Sequence, residues 1–134
     1  MWLGDVWALN GLPESITAVV SLCLVGHEQV PEGIVHVPFR LIDDAAEESN
    51  LNLAFVLRDA AELVAALREE GHEVLVHCVA AQSRTLAVGI AYAMLRGVDH
   101  DTATKGVCSA LPGASPNASF GRTLSIWSEV SGTG

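Results

Sequence analysis

Lysine is almost missing from this chain: one, at position 105, stands in 134 residues, and 7 Lys and Arg face 16 Asp and Glu for a net charge of −9. So few cations cannot neutralise the phosphates of a nucleic acid or hold an anionic lipid face, which demand clustered Lys and Arg. Nucleic acid and membrane are therefore not expected as partners. Cysteine is scarce as well. The 3 present are odd in number and lack metal-type spacing, which argues against a disulfide scaffold and for a reducing compartment, with cytoplasm as the expected localisation. His27, His36, His72 and His100 form no ligand pattern, and Asp99-His100-Asp101 reads as the polar turn that begins a helix, so no metal and no cofactor are expected. No apolar run reaches membrane-spanning length, and Met1-Trp2-Leu3-Gly4-Asp5 has neither the basic nor the long apolar stretch of a signal peptide.

What is present is apolar and patterned. Hydrophobic residues make up 50% of the chain and charged ones 17%, a balance that favours a packed core over disorder, and the length suits a single domain spanning 1–134. Ile16 to Cys23 and Gly33 to Phe39 are continuous apolar, partly β-branched runs that read as buried strands. From Leu51 the period changes: Leu53, Val56, Ala60, Leu63, Val64 and Leu67 share one helical face, with Ser49 or Asn50 to cap the helix and Gly71 to end it. Val74 to Val76 is a strand buried on both faces, as in a parallel sheet. Arg84 to Arg96 is apolar almost all round and belongs in the core, with Gly97 ending it. Asp99 or Asp101 caps a further helix through Leu111, and Ser115-Pro116 opens the last. Strands alternating with helices define an α/β fold.

The segment His77-Cys78-Val79-Ala80-Ala81-Gln82-Ser83-Arg84-Thr85 joins the inner strand to the apolar helix. A strand-to-helix turn aims backbone N–H groups and the positive end of the helix dipole at one point, where an anion fits. The same field favours a thiolate, and a cysteine at a helix N-terminus beside a cation has its pKa lowered from about 8.5 to as little as roughly 3.5. Arg84, six positions after Cys78, carries the planar fork that holds two phosphate oxygens, and Thr85 can donate to the sulfur.

His-Cys-x5-Arg-Thr after a hydrophobic strand resembles the signature of the cysteine-based protein phosphatases, and the small dual-specificity branch is nearest in size. The similarity extends over nearly the whole chain: a first strand pair between Trp2 and Cys23, an acidic loop at Asp43-Asp44, a helix, the signature loop, and a Pro116-Asn117-Ala118-Ser119-Phe120 run resembling the Pro-Asn-x-x-Phe of that branch. The resemblance implies a protein-tyrosine-phosphatase-like, three-layer fold: a central, mostly parallel twisted sheet of about 4–5 strands flanked by helices. It implies Cys78 as nucleophile, Arg84 and the amides of Val79, Ala80, Ala81, Gln82 and Ser83 as the phosphate cradle, and His77 as a local support for the ionisation of Cys78. An acid must protonate the leaving group. By resemblance that acid is Asp43 or Asp44, 35 and 34 positions before the cysteine. The implied reaction is hydrolysis of a phosphomonoester through a phosphocysteine, with a phosphorylated protein or a small phosphomonoester as substrate.

Two departures from the family pattern bear on this. Ala81 stands where most members have glycine, and a positive φ there would cost about 1 kcal/mol or more. No Lys or Arg lies among Val79 to Ser83, so the loop suits one phosphate group rather than a polyphosphorylated lipid. Cys23, in its Leu-Cys strand-end setting, resembles the resolving cysteine of some relatives; the alternative is a small buried hydrophobe, the reading also given to Cys108. Two other readings of the chain remain open: a catalytically weak phosphate-binding module, and a rhodanese-type sulfurtransferase, which also places a cysteine on a strand-loop-helix turn.

Overall fold

A computed structural model describes residues 1–4, 12–23, 30–39, 53–78, 84–111 and 118–131. The elements are β1 (Trp2–Gly4), β2 (Ala18–Ser21), β3 (Val35–Pro38), α1 (Leu53–Glu69), β4 (Val74–His77), α2 (Arg84–Leu95), α3 (His100–Ala110) and α4 (Ala118–Ser131). The four strands form one parallel sheet in the order β1-β4-β2-β3, flanked by the four helices.

Among the described residues β1 pairs with β4 and not with β2; residues 5–11, within the expected first strand pair of Trp2 to Cys23, lie outside the described residues. The burial patterns give the reason. Every residue of β4 is buried, which requires a neighbour on each edge, whereas Trp2 on β1 is exposed and suits the outside of the sheet. The two inner strands lie in register, Ser21 opposite His77. Because all strands are parallel, Gly4, Ser21, Pro38 and His77 end along one edge of the sheet.

The period-two alternation of the strands divides the interior. Ala18, Val20, Val74, Val76 and Cys78 join one cluster with Leu57, Val64, Ile90, Ala103, Phe120 and Leu124 of the helices. Val19 and Leu75 point the other way, into a smaller cluster with Ile16 and Val30. α1 buries Leu53, Leu57, Ala60, Ala61, Val64 and Leu67 at three- and four-residue spacing, and α2 buries every residue from Thr85 to Tyr92.

Gly71 (φ 93°) and Gly97 (φ 96°) end these two helices in the same manner. Gly71 N–H donates to Arg68 O and His72 N–H to Leu67 O, both at 3.0 Å; Gly97 donates to Met94 O and Val98 to Ala93 O, again at 3.0 Å. This paired pattern satisfies carbonyls that the helix leaves open and needs a left-handed residue, which glycine supplies without strain. Asp99 caps α3, accepting from Thr102 N. The proposed caps Ser49 and Asn50 and the opening Ser115-Pro116 lie outside the described residues; α4 is described from Ala118.

Candidate active site

β4 delivers Cys78 to the C-terminal edge of the sheet. The cysteine follows His77 directly, is 2% exposed, and its N–H donates to Gly4 O at 3.3 Å, extending the β1–β4 pairing past the last strand residue. Alternation turns Cys78 toward the helices with Val74 and Val76, and His77 toward the opposite face with Leu75.

α2 begins six positions later and brings two polar residues back to the same edge. Thr85, fully buried in its first turn, lies 2.9 Å from Cys78 Sγ and 3.3 Å from Gly4 O. A hydroxyl has one proton to give, and the shorter contact directs it to sulfur. Arg84 Nη1 donates to Leu22 O at 3.3 Å, which holds the guanidinium against the end of β2. Cation and helix N-terminus thus stand together beside the thiol, the setting that stabilises a thiolate or an oxyanion.

Cys23 lies two residues beyond the end of β2 and is half-buried. Burial pushes its thiol up from the usual range; the positive charge of Arg84 opposes that rise and Cys78 adds to it. Arg84 and Cys78 therefore both act electrostatically on Cys23 at one edge of the sheet. Cys108 is half-buried on α3 rather than enclosed in the core. Asp43, Asp44 and the whole of Val79 to Ser83 lie outside the described residues, so the sequence-derived acid and phosphate cradle carry no geometry here. Among the described residues no group of three or more His, Cys, Asp or Glu side chains could hold a metal ion.

Sequence reasoning missed Ser21 and His36. Ser21 Oγ lies 2.7 Å from His77 Nε2 and 2.8 Å from His36 Nε2, a hydroxyl held between two imidazoles. The available signal was a fully buried serine inside the apolar run Val19-Val20-Ser21-Leu22, since a buried hydroxyl requires partners.

A parallel α/β sheet ending in a buried cysteine, with an arginine and a threonine on the next helix turn, places the chain in the class of α/β proteins with a cysteine at the C-terminal edge of the sheet. Residues 15–130 match the family described as dual specificity phosphatase, catalytic domain, and the chain belongs to that family. It is 34% identical over 129 residues to dual specificity protein phosphatase 1 of Arabidopsis thaliana, covering 92% of this chain and 63% of that protein. It is 29% identical to the protein phosphatase Slingshot homolog of Xenopus laevis over 98% of this chain and 19% of that protein. The chain thus spans less than two thirds of the length of either relative. Among solved structures it resembles human DUSP28, with a TM-score of 0.85 and 29% identity over 98% of this chain and 93% of that one. It also resembles a mouse putative dual specificity phosphatase complexed with zinc tungstate, with a TM-score of 0.79 and 29% identity over 96% and 81% of the two chains.

Proposed function

We propose that this chain is a phosphoric monoester hydrolase, a cysteine-dependent protein phosphatase acting on tyrosine, serine or threonine phosphate. The observation that carries the reading is the contact between Thr85 Oγ1 and Cys78 Sγ at the N-terminus of α2, beside Arg84. A threonine and a helix N-terminus converging on a buried thiol are of little use to packing; they suit a sulfur that must ionise and later depart.

In this mechanism the Cys78 thiolate attacks phosphorus in line. The S–P bond forms as the P–O bond of the ester breaks, and Asp43 or Asp44 gives its proton to the departing oxygen. Arg84 and the amides of Val79 to Ser83 bind the three equatorial oxygens. The same aspartate, now a base, takes a proton from water, whose oxygen displaces sulfur and releases phosphate. Thr85 stabilises the thiolate as it leaves. His77 supports the ionisation of Cys78, and no metal or cofactor takes part. The mouse relative is complexed with zinc tungstate, which supports a phosphate-like oxyanion as a ligand of this fold, and the lack of Lys or Arg between 79 and 83 supports a single phosphate group. The acidic composition supports a partner other than nucleic acid or membrane, and the reading includes a single domain working in the cytoplasm. Among the described residues no helix is long and apolar enough to cross a membrane.

Hydrolysis of p-nitrophenyl phosphate by the reduced protein, abolished in Cys78→Ser, tests the reading. Phosphate binding without turnover would favour a binding module instead, and conversion of cyanide with thiosulfate would favour a sulfurtransferase.

A further inference from the structure

The hydroxyl of Ser21 stands between His36 Nε2 (2.8 Å) and His77 Nε2 (2.7 Å). Its position is fixed from both sides. Phe39 N–H donates to Ser21 O at 2.7 Å, Leu22 N–H donates to His77 O at 3.0 Å, and Ser21 lies opposite His77 in the strand register. Ser21 and His77 are fully buried, while His36, on the edge strand β3, is half-buried. The three side chains share the sheet face that carries Val19 and Leu75.

One hydroxyl carries one proton, so a serine bonded to two ring nitrogens ordinarily donates to one and accepts from the other. When His36 Nε2 holds a proton and donates to Ser21, Ser21 donates to His77 Nε2, and the proton of neutral His77 sits on Nδ1. In the reverse arrangement His77 Nε2 donates, and its Nδ1 presents a lone pair. Nδ1 is the ring nitrogen nearer the backbone that leads directly into Cys78. A proton there places the positive end of an N–H dipole by the backbone that carries the nucleophile, and a lone pair there places the negative end.

We propose that Ser21 and His36 are positioning residues for Cys78: through the Ser21 hydroxyl, His36 holds buried His77 in the tautomer that favours the Cys78 thiolate. The residues act in series, since His36 touches Ser21, Ser21 touches His77, and His77 precedes the nucleophile. The titratable groups that the described elements bring to this region are His36 on β3, His77 and Cys78 at the end of β4, and Cys23 beyond β2, with Arg84 as the fixed cation of α2. The proposal deepens the phosphatase reading and rests on it only for turnover.

The test is the pH dependence of Cys78 alkylation by iodoacetamide, followed on the Cys78 peptide by mass spectrometry, which reads the thiolate without requiring activity. Ser21→Ala and His36→Leu are expected to raise the midpoint by about one pH unit, about tenfold less thiolate well below the midpoint. His36→Gln, whose amide N–H can still donate to Ser21, is expected to keep the wild-type midpoint. For p-nitrophenyl phosphate, kcat/KM should fall in parallel with the thiolate fraction and recover in His36→Gln. Unchanged midpoints in Ser21→Ala and His36→Leu, or a His36→Gln midpoint equal to that of His36→Leu, would overturn the proposal. Should Ser21→Ala fail to fold, the two His36 variants on the edge strand decide the question. A wild-type protein that alkylates normally but hydrolyses no aryl phosphate would defeat the phosphatase reading and leave the midpoints to judge the relay.

Discussion

Thr85 Oγ1 donates to Cys78 Sγ across 2.9 Å, joining the first turn of α2 to the residue after β4. In the proposed mechanism this hydroxyl stabilises the sulfur as it departs from phosphorus. A hydrogen bond to a charged group contributes about 1.5–3 kcal/mol. Thr85→Val, which keeps the shape and removes the hydroxyl, should lower kcat by about 10–100-fold. Breakdown of the phosphocysteine should suffer more than its formation. Stopped-flow p-nitrophenol release should therefore show a burst in the variant, and a variant with wild-type kcat would remove Thr85 from the mechanism.

Asp43 and Asp44 are distinguished by pH rather than by rate alone. A general acid must be protonated in the attack step, so activity falls as pH rises through its pKa. Asparagine at the true acid removes that limb and lowers kcat by about 10²–10⁴-fold. The other substitution should leave the profile close to wild type. Profiles of kcat for Asp43→Asn and Asp44→Asn against an aryl phosphate choose between them; two unaltered profiles would place the acid elsewhere.

Cys23 is proposed to protect Cys78. Peroxide converts the Cys78 thiolate to a sulfenic acid; the Cys23 thiol then displaces hydroxide from it, forming the S–S bond and releasing water. Burial raises the Cys23 pKa, which favours the thiol form of Cys23. Peroxide-treated protein should yield a linked Cys23–Cys78 peptide and recover activity with a thiol reductant, and Cys23→Ser should recover far less. Equal recovery by both proteins would count against the pairing.

Asp99 ties stability to pH. Hydrogen bonds from the Thr102 hydroxyl (2.7 Å) and the Thr102 backbone N–H (3.0 Å) hold its carboxyl below the usual carboxylate range. A folded pKa below the unfolded one means that the contribution is present above the unfolded value of about 3.9 and is lost as pH falls through the folded value. Asp99→Ala should lower the melting temperature at neutral pH, and the gap should narrow as the medium becomes strongly acidic. A gap independent of pH would show that the charge of the cap is irrelevant.

The elements legible in the sequence were those specified by local rules. The apolar face of α1, the glycines that close α1 and α2, the Asp99 cap and the fully buried β4 follow from spacing and backbone preference within a few residues. The pairing of β1 was not legible, because three residues carry no register and their partner lies some seventy positions away. Ser21 and His36 escaped for the same reason. Nothing near Ser21 in sequence reveals that β4 and β3 flank it and set one imidazole on each side.

By itself the sequence determined the chemistry on offer: a cysteine, an arginine and a threonine at spacings that a strand-loop-helix turn can bring together, and an acidic chain with little to give to polyanions. Only the tertiary structure decided that Cys78 faces the helices while His77 faces the other side, that the Thr85 hydroxyl stands 2.9 Å from the sulfur, and that Arg84 and Cys78 both act electrostatically on Cys23. The physical reason is that side-chain chemistry is carried by composition and local spacing, whereas convergence of distant residues depends on strand order and register. Those are set by which buried surfaces pack together over the whole chain.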